Sequence, residues 1–318
     1  MLLGIDIGGT KVALGAADSS GDGQLLARSQ HPAETRLGPD AMLERIIAEA
    51  KPLLAKAGGR ATAIGISCGG PLDRQRGVVL GPPNLPGWTS VPIVERLSSA
   101  LGAPAALDND ANLAALGEQR FGAGRGYDDL LYLTISTGIG GGILQGGKLV
   151  HGLGGAAGEL GHQTLDPRGP LCGCGNRGCL EALASGSAIA RSAREAARSR
   201  ASQATELMAR ANRDPQQLSA RIVAEAAAAG DALALELWDR AMGWLGIGIA
   251  NAITILAPQA VVLGGGMTSA GALLFEPIQA VVRERVRLVP VEKLVLLPAA
   301  LRLDSPLRGA LAMAAELA

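Results

Sequence analysis

Apolar positions along this chain fall into short runs rich in Ile, Val and Leu that alternate with Ala-rich helical stretches. That alternation is expected of an α/β protein whose sheets are covered on their faces by helices. Two runs share one plan. Leu3–Ala16 reads as strand, Gly-Gly-Thr turn, strand, and Leu131–Gln145 reads as strand, Thr-Gly-Ile-Gly-Gly turn, strand. Between them the pattern predicts a helix near Pro39–Ala57, a strand at Ala61–Ser67, a Pro/Gly loop at Gly69–Trp88 and a helix near Val91–Leu101. A strand at Pro104–Leu107 and a helix through Ala111–Phe121 follow. Beyond the second hairpin come a Gly-rich loop bearing cysteines, a block of helices from Leu180 to Ala257 and a strand at Ala260–Leu263. The chain closes on a glycine turn, a helix, a strand near Leu294–Leu297 and a last helix at Ser305–Ala318.

With 318 residues the chain exceeds what one hydrophobic core fills, so two lobes with a cleft between them are expected. No long polar linker separates them. The boundary is placed between a smaller lobe at 1–117, completed by the helix at 305–318, and a larger one at 118–304. The 29 basic and 29 acidic residues cancel and are scattered, which leaves no electrostatic footprint for nucleic acid or a membrane surface. Aromatic residues are too scarce for base-stacking platforms. The longest apolar stretch, Leu245–Ala257, is too short to span a bilayer and reads as a buried helix. The first strand is predicted from Leu2, so no leader segment is expected and the cytoplasm is the expected compartment.

Seven groups of residues could carry chemistry. Asp6-Ile7-Gly8-Gly9-Thr10 places a carboxylate at a strand end before a turn whose glycines let backbone amides approach an anion, although a plain hairpin turn explains the glycines equally well. Thr137-Gly138-Ile139-Gly140-Gly141-Gly142 could be a second such loop. A dinucleotide fingerprint there would need a following helix, and Gly142-Ile143-Leu144 reads as strand. Gly264-Gly265-Gly266, between a strand and a helix, could offer amides to a third part of a nucleotide, or be a simple connecting turn. His162, Cys172, Cys174 and Cys179 form His-x9-Cys-x-Cys-x4-Cys, the Cys3His set favoured by structural zinc, with no position left for a catalytic water. Asn109-Asp110, between a strand and a helix, is a candidate general base with a neighbouring amide, or else an ordinary helix cap. Glu159 and Glu181 flank the zinc spacing, so a metal clip would hold both carboxylates in a fixed frame. Asn84 lies in Pro83-Asn84-Leu85-Pro86-Gly87-Trp88, a loop suited to reading a ligand or merely to turning.

Together these segments resemble the ROK (repressor, open reading frame, kinase) family across nearly the whole chain. The stretch from Ile135 through His162 carries Gly138, Gly140, Gly142, Gly152, Gly158, Gly161 and His162 in the order of the family signature. Cys-Gly-Cys-Gly-Asn-Arg-Gly-Cys-Leu-Glu at 172–181 is similar to its zinc segment. The resemblance implies an actin-like, ribonuclease-H-like fold with ATP and a hexose between two lobes, and phosphate transfer to the sugar 6-hydroxyl. Glucose is the first expectation, with N-acetylglucosamine, N-acetylmannosamine or fructose as alternatives and polyphosphate as an alternative donor. It assigns Asp6, Gly8, Gly9, Thr10 and Lys11 to the first phosphate motif, Thr137 and Gly138 to the second, and Gly264 and Gly265 to the adenosine side. It assigns Gly70, Asn84, Asn109, Asp110, Glu159, His162 and Glu181 to the sugar, with Asp110 as catalytic base and His162 serving zinc as well. Mg2+ and a structural Zn2+ are the implied metals, and a homodimer or homotetramer the implied assembly. Gly69-Gly70-Pro71 stands where many relatives have Pro-Gly-Pro. The family also includes sugar-responsive regulators with a helix-turn-helix ahead of the first strand, a segment not expected here.

Overall fold

The computed structural model describes residues 1–19 and 23–318. In chain order its first elements are β1 (Leu2–Ile7), β2 (Lys11–Ala17), β3 (Leu25–Pro32), α1 (Gly38–Ala57), β4 (Ala63–Cys68), β5 (Leu72–Asp73), β6 (Val78–Val79), α2 (Ile93–Leu101), β7 (Ala105–Asn109) and α3 (Asp110–Phe121). They are followed by β8 (Leu130–Ile135), β9 (Ile139–Gln145), β10 (Lys148–Leu149), α4 (Leu180–Ala184), α5 (Gly186–Ser199), α6 (Thr205–Arg210), α7 (Ala220–Ala228) and α8 (Ala232–Leu256). The last are β11 (Ala260–Gly264), α9 (Ala272–Arg285), β12 (Val295–Pro298) and α10 (Ser305–Ala315). The chain divides into two compact units. Unit 1 holds Met1–Tyr132, Gly142–Gly158 and Ala299–Ala318, and unit 2 holds Leu133–Gly141 and Glu159–Pro298. Unit 1 thus reaches beyond residue 117 and takes in three separate stretches of sequence.

The sheet of unit 1 has the order β3-β2-β1-β4-β7. β1 runs antiparallel to β2 and parallel to β4, and β4 runs parallel to β7. Every residue of β1 and of β4 is buried. This suits strands covered on both faces, which carry continuous apolar runs where a one-sided strand would alternate. On one face α1 and α2 bring Leu43, Ile46, Leu53 and Leu97 into a core with Ile5, Ile7, Ile64 and Ile66. On the other, α10 packs Leu311 and Ala314 against Leu2, Ala17 and Ala63.

The approach of α10 to its neighbours depends on glycine. A Cβ at Gly309 would fall on the carbonyl of Leu113 in α3, and one at Gly65 in β4 would fall on the carbonyl of Ala310. Both obstacles are backbone, which cannot rotate aside as a side chain can. Gly309→Ala is therefore expected to destabilise the protein by about 3 kcal/mol, the upper end for an overpacked core. The urea midpoint should fall while the slope of the transition stays unchanged.

Unit 2 is mainly helical. Its longest element, α8, buries Leu237, Trp238, Met242, Leu245 and Ile249; of the buried helix expected at Leu245–Ala257 the first part is buried, while Asn251, Thr254 and Ile255 are exposed. Trp238 satisfies its indole N–H by donating to the Leu273 carbonyl at 2.9 Å. The second five-stranded sheet has the order β10-β9-β8-β11-β12, with β11 and β12 parallel. Among the described residues no helix is long and apolar enough to cross a membrane.

Candidate functional site

The parallel register of β1, β4 and β7 aligns Asp6 with Ser67, Ser67 with Asp108, and Cys68 with Asn109. Polar side chains therefore gather at the carboxyl ends of three parallel strands, where α/β sheets characteristically bind ligands. Asp6 is 6% exposed, and its carboxylate accepts a 2.8 Å hydrogen bond from Ser67 Oγ. Burial pushes its carboxyl up from the ordinary 3.8 to about 6, with help from the nearby Asp110 charge; the Ser67 bond and Lys11 oppose the rise. The fold thus disfavours the charge of Asp6 in a way that a bound cation would relieve.

That rise has a measurable consequence. The folded carboxyl holds its proton more tightly than the unfolded one, so its stabilising effect is full below about pH 4 and is lost as pH climbs through about 6. The difference is on the order of 3 kcal/mol. Asp6→Asn keeps an acceptor for Ser67 and removes the buried charge. It should raise the Tm of the unliganded protein at pH 7 and flatten the pH dependence of Tm between about pH 4 and 6. An Asn variant that melts below the parent at pH 7 would contradict this account.

α3 begins at Asp110. Its cap is Asn109, whose Oδ1 accepts from Ala111 N at 2.9 Å, and the same N–H reaches Asp110 Oδ1 at 2.8 Å. These bonds fix both side chains against the first turn of the helix. A methyl group on Gly69 would sit 3.7 Å from both Asn84 Nδ2 and Asp110 Oδ2, and one on Gly70 3.5 Å from Asn109 Nδ2. Gly9 backs directly onto Asn84, where a Cβ would come within 2.8 Å of the Asn84 Cβ. The glycines leave an open floor among three polar side chains. The first glycine turn is closed by Gly8 N donating to Lys11 O at 3.0 Å, which leads into the exposed Thr10, and Lys11 Nζ donates to Leu303 O at 3.3 Å.

In unit 2, Ser136 N donates to Gly138 O at 2.9 Å and tightens the second glycine turn. Glu181 Oε2 accepts from Ile139 N at 2.9 Å, and a Cβ on Gly138 would strike that carboxylate. Gly265 follows Gly264, the end of β11, at φ +86°, against the backbone of Ile135; only glycine suits both demands. A cleft of about 910 Å³ opens beside these turns. Ser136, Thr137 and Gly266 border it, with the amino ends of α5 (Gly186, Ser187) and α7 (Ser219, Ala220). Ser185 and Ser219 cap those helices, accepting from Ala188 N at 3.2 Å and Ile222 N at 3.3 Å. Two helix amino ends in one cleft favour an anion.

His162, Cys172, Cys174 and Cys179 place their donor atoms within 4.8 Å of one another. His162 Nδ1 lies 3.6 Å from Cys172 Sγ, and Cys174 Sγ lies 3.7 Å from Cys179 Sγ. Zinc with bonds of about 2.3 Å to sulfur and about 2.05 Å to nitrogen requires tetrahedral edges of about 3.8 Å between sulfurs and about 3.6 Å between sulfur and nitrogen. The donor set fits the ion. The loop is held by Cys172 N donating to Asn176 O at 2.7 Å and Leu180 N to Gln163 O at 2.9 Å. Burial pushes the thiols of Cys172 and Cys179 up, the latter to about 12, while a backbone hydrogen bond at Asn176 lowers the exposed Cys174. A dication inverts the preference for the neutral thiols. On the other edge of the imidazole, His162 Nε2 lies 3.8 Å from Glu159 Oε2.

A match to the ROK family spans residues 2–317. The chain belongs to the ROK family. Among ROK relatives, glucokinase of Thermotoga maritima is 39% identical over 279 residues, 87% of this chain and 86% of that one. The ROK hexokinase of Thermus thermophilus is 38% identical with a TM-score of 0.83, covering 98% of this chain and 97% of that chain. A ROK family glucokinase from Streptomyces griseus, solved in complex with glucose and AMPPNP, is 34% identical with a TM-score of 0.81, each chain covered to 99%. The fold is accordingly the actin-like one of the ROK sugar kinases.

Within this ROK chain, Asp6, Gly8, Gly9, Thr10, Lys11, Gly70, Asn84, Asn109 and Asp110 belong to unit 1. Thr137, Gly138, Glu159, His162, the three cysteines, Glu181, Gly264 and Gly265 belong to unit 2. Sequence reasoning missed the wall of the cleft made by α5 and α7. Ser185-Gly186-Ser187 and Ser219 were the available signals, as serines standing where Ala-rich helices begin.

Proposed function

We propose that this chain is an ATP-dependent hexokinase-type phosphotransferase acting on the 6-hydroxyl of a hexose, with glucose preferred. The observation that carries the proposal is the cluster at the ends of β1, β4 and β7, where Asp110 is fixed by its helix cap beside Asn109, Asn84 and the Gly69-Gly70 backbone. Phosphoryl transfer asks the protein mainly for positioning, charge neutralisation and a base for the attacking hydroxyl. Asp110 accepts the hydroxyl proton as the sugar oxygen bonds to the terminal phosphorus of ATP and the bond to ADP breaks. Asn84, Asn109, Glu159, His162 and Glu181 orient the sugar ring, with the Gly70 backbone beside it.

The glycine turns at Gly8–Lys11 and Thr137–Gly138 offer amides to the phosphates, and Gly264-Gly265 serves the nucleoside side. Asp6, a buried carboxylate that gains from a cation, is the residue that would hold Mg2+, which supplies neutralisation of phosphate charge when bound. Zinc at the Cys3His set would be structural, and it would hold the frame that carries Glu159 and Glu181. The cleft supports a nucleotide over polyphosphate as donor, because Leu218, Trp238 and Met267 give it apolar walls while Arg194 and Arg221 are its only cations among the described lining residues. The family resemblance supports a homodimer or homotetramer, which light scattering reads directly.

A coupled assay over a panel of hexoses tests the proposal. With ATP, glucose should give a higher kcat/KM than N-acetylglucosamine, N-acetylmannosamine or fructose, and polyphosphate should give less than about one hundredth of the ATP rate, the discrimination that lost contacts in a shaped site produce. A higher kcat/KM for another of these sugars would correct the substrate. No transfer to any of them would sink the kinase reading.

A further inference from the structure

Asp108 sits at the end of β7 with its side chain 4% exposed, and the reaction described above does not use it. Its carboxylate nonetheless holds three segments of unit 1. Oδ1 accepts from the backbone N–H of Asn109 at 2.7 Å and from Asn112 Nδ2 at 3.0 Å, both at the start of α3. Oδ2 accepts from His151 Nε2 at 2.6 Å, and Arg74 Nε approaches the same oxygen at 3.9 Å. A carboxylate only accepts, so Nε2 of His151 carries the proton that is shared. At 2.6 Å this is a short, charge-assisted bond, stronger than a neutral one.

Each segment leads to a residue proposed to hold the sugar. Arg74 follows Gly70 by four residues, Asn109 is itself a candidate, and His151 opens the stretch that runs into Glu159. That stretch has little stiffness of its own. Gly152, Gly154, Gly155 and Gly158 all adopt positive φ, and Leu153 at the tip is 97% exposed. Ala157 N donates to His151 O at 2.9 Å and closes the loop on itself, so the side chain of His151 becomes the point at which the closed loop is tied to the strand ends.

We propose that Asp108 and His151 form a latch that positions the hexose-binding residues, with His151 as a positioning residue for sugar affinity. The latch rests on the kinase reading, since it acts on the sugar that reading supplies. Removing the imidazole frees the glycine loop to sample many conformations, and the sugar must then order it on binding. The penalty falls on sugar binding and not on the chemical step, because Asp110 stays fixed by Asn109 and its own helix.

The test compares His151→Ala, His151→Phe and His151→Gln with the parent enzyme at saturating ATP. The Ala and Phe variants should raise KM for glucose about tenfold, with kcat and KM for ATP within about threefold. Phe keeps the ring volume, so it separates loss of the bond from loss of packing and stands in should the Ala variant be insoluble. Gln, whose amide N–H can replace Nε2–H, should return KM to within about threefold of the parent. An unchanged KM in the Ala or Phe variant, or a Gln variant no better than either, overturns the latch. A merely structural role would lower the active fraction, and hence kcat, without this split. Failure of the parent enzyme to phosphorylate any hexose overturns the kinase reading instead.

Discussion

Asp110→Asn is expected to lower kcat by roughly 10²- to 10⁴-fold while sugar affinity stays near that of the parent. The amide has the shape of the carboxylate and keeps an oxygen for Ala111 N, so the cap of α3 survives. What it loses is basicity toward the sugar hydroxyl. The separation of effects is the informative part, because a local collapse of the helix start would weaken sugar binding as much as turnover. Isothermal titration with glucose and a coupled rate measurement on the same preparation give both quantities. Near-normal kcat would remove Asp110 from the mechanism.

The second large effect is expected at the metal. The parent protein should contain one zinc per chain, and Cys174→Ser should lose most of it and raise KM for the hexose by roughly 10- to 100-fold, the range seen when support of a metal site is removed. Glu159 lies three residues before His162 and Glu181 two residues after Cys179, so both lose their frame together. Glu181 also grips Ile139 N in the second glycine turn, so KM for ATP should rise as well. Metal analysis of fresh protein with kinetics on both substrates decides the matter, and a metal-free, fully active preparation would refute it.

Much of the fold was legible because local pattern and tertiary structure agree. The two hairpins, the strands at 61–67, 104–107 and 260–263, and the helices that follow them stand within a few residues of where apolar runs and glycine turns put them. β3 leaves no strand signal in the sequence, for a physical reason. It is an edge strand with alternating exposure, and Arg28, Ser29 and Gln30 make Leu25–Pro32 look like a polar connection. β5 and β6 are two residues each inside a Pro/Gly loop, too short to leave a period.

The site divides in the same way. The four candidate metal ligands lie within eighteen residues, and their spacing announces them. Asp108 and His151 are 43 residues apart, and Glu181 and Ile139 are 42 apart; no local signal joins either pair. Those contacts exist only once the strands are in register.

The packing of α10 also sets an order of events during synthesis. The sheet of unit 1 is assembled from residues near the amino end of the chain, yet one face of it is covered by Leu311 and Ala314. On the ribosome, which adds roughly 5–20 residues per second, that face stays wet until Leu311 and Ala314 have been made and have emerged. Unit 2 lies between residues 133 and 298 and can be fully emerged before the first sheet acquires its cover. The amino-terminal strands therefore wait with apolar surface exposed. A growing chain in that condition is the form most open to capture by a holding chaperone or to association with its neighbours on the same message.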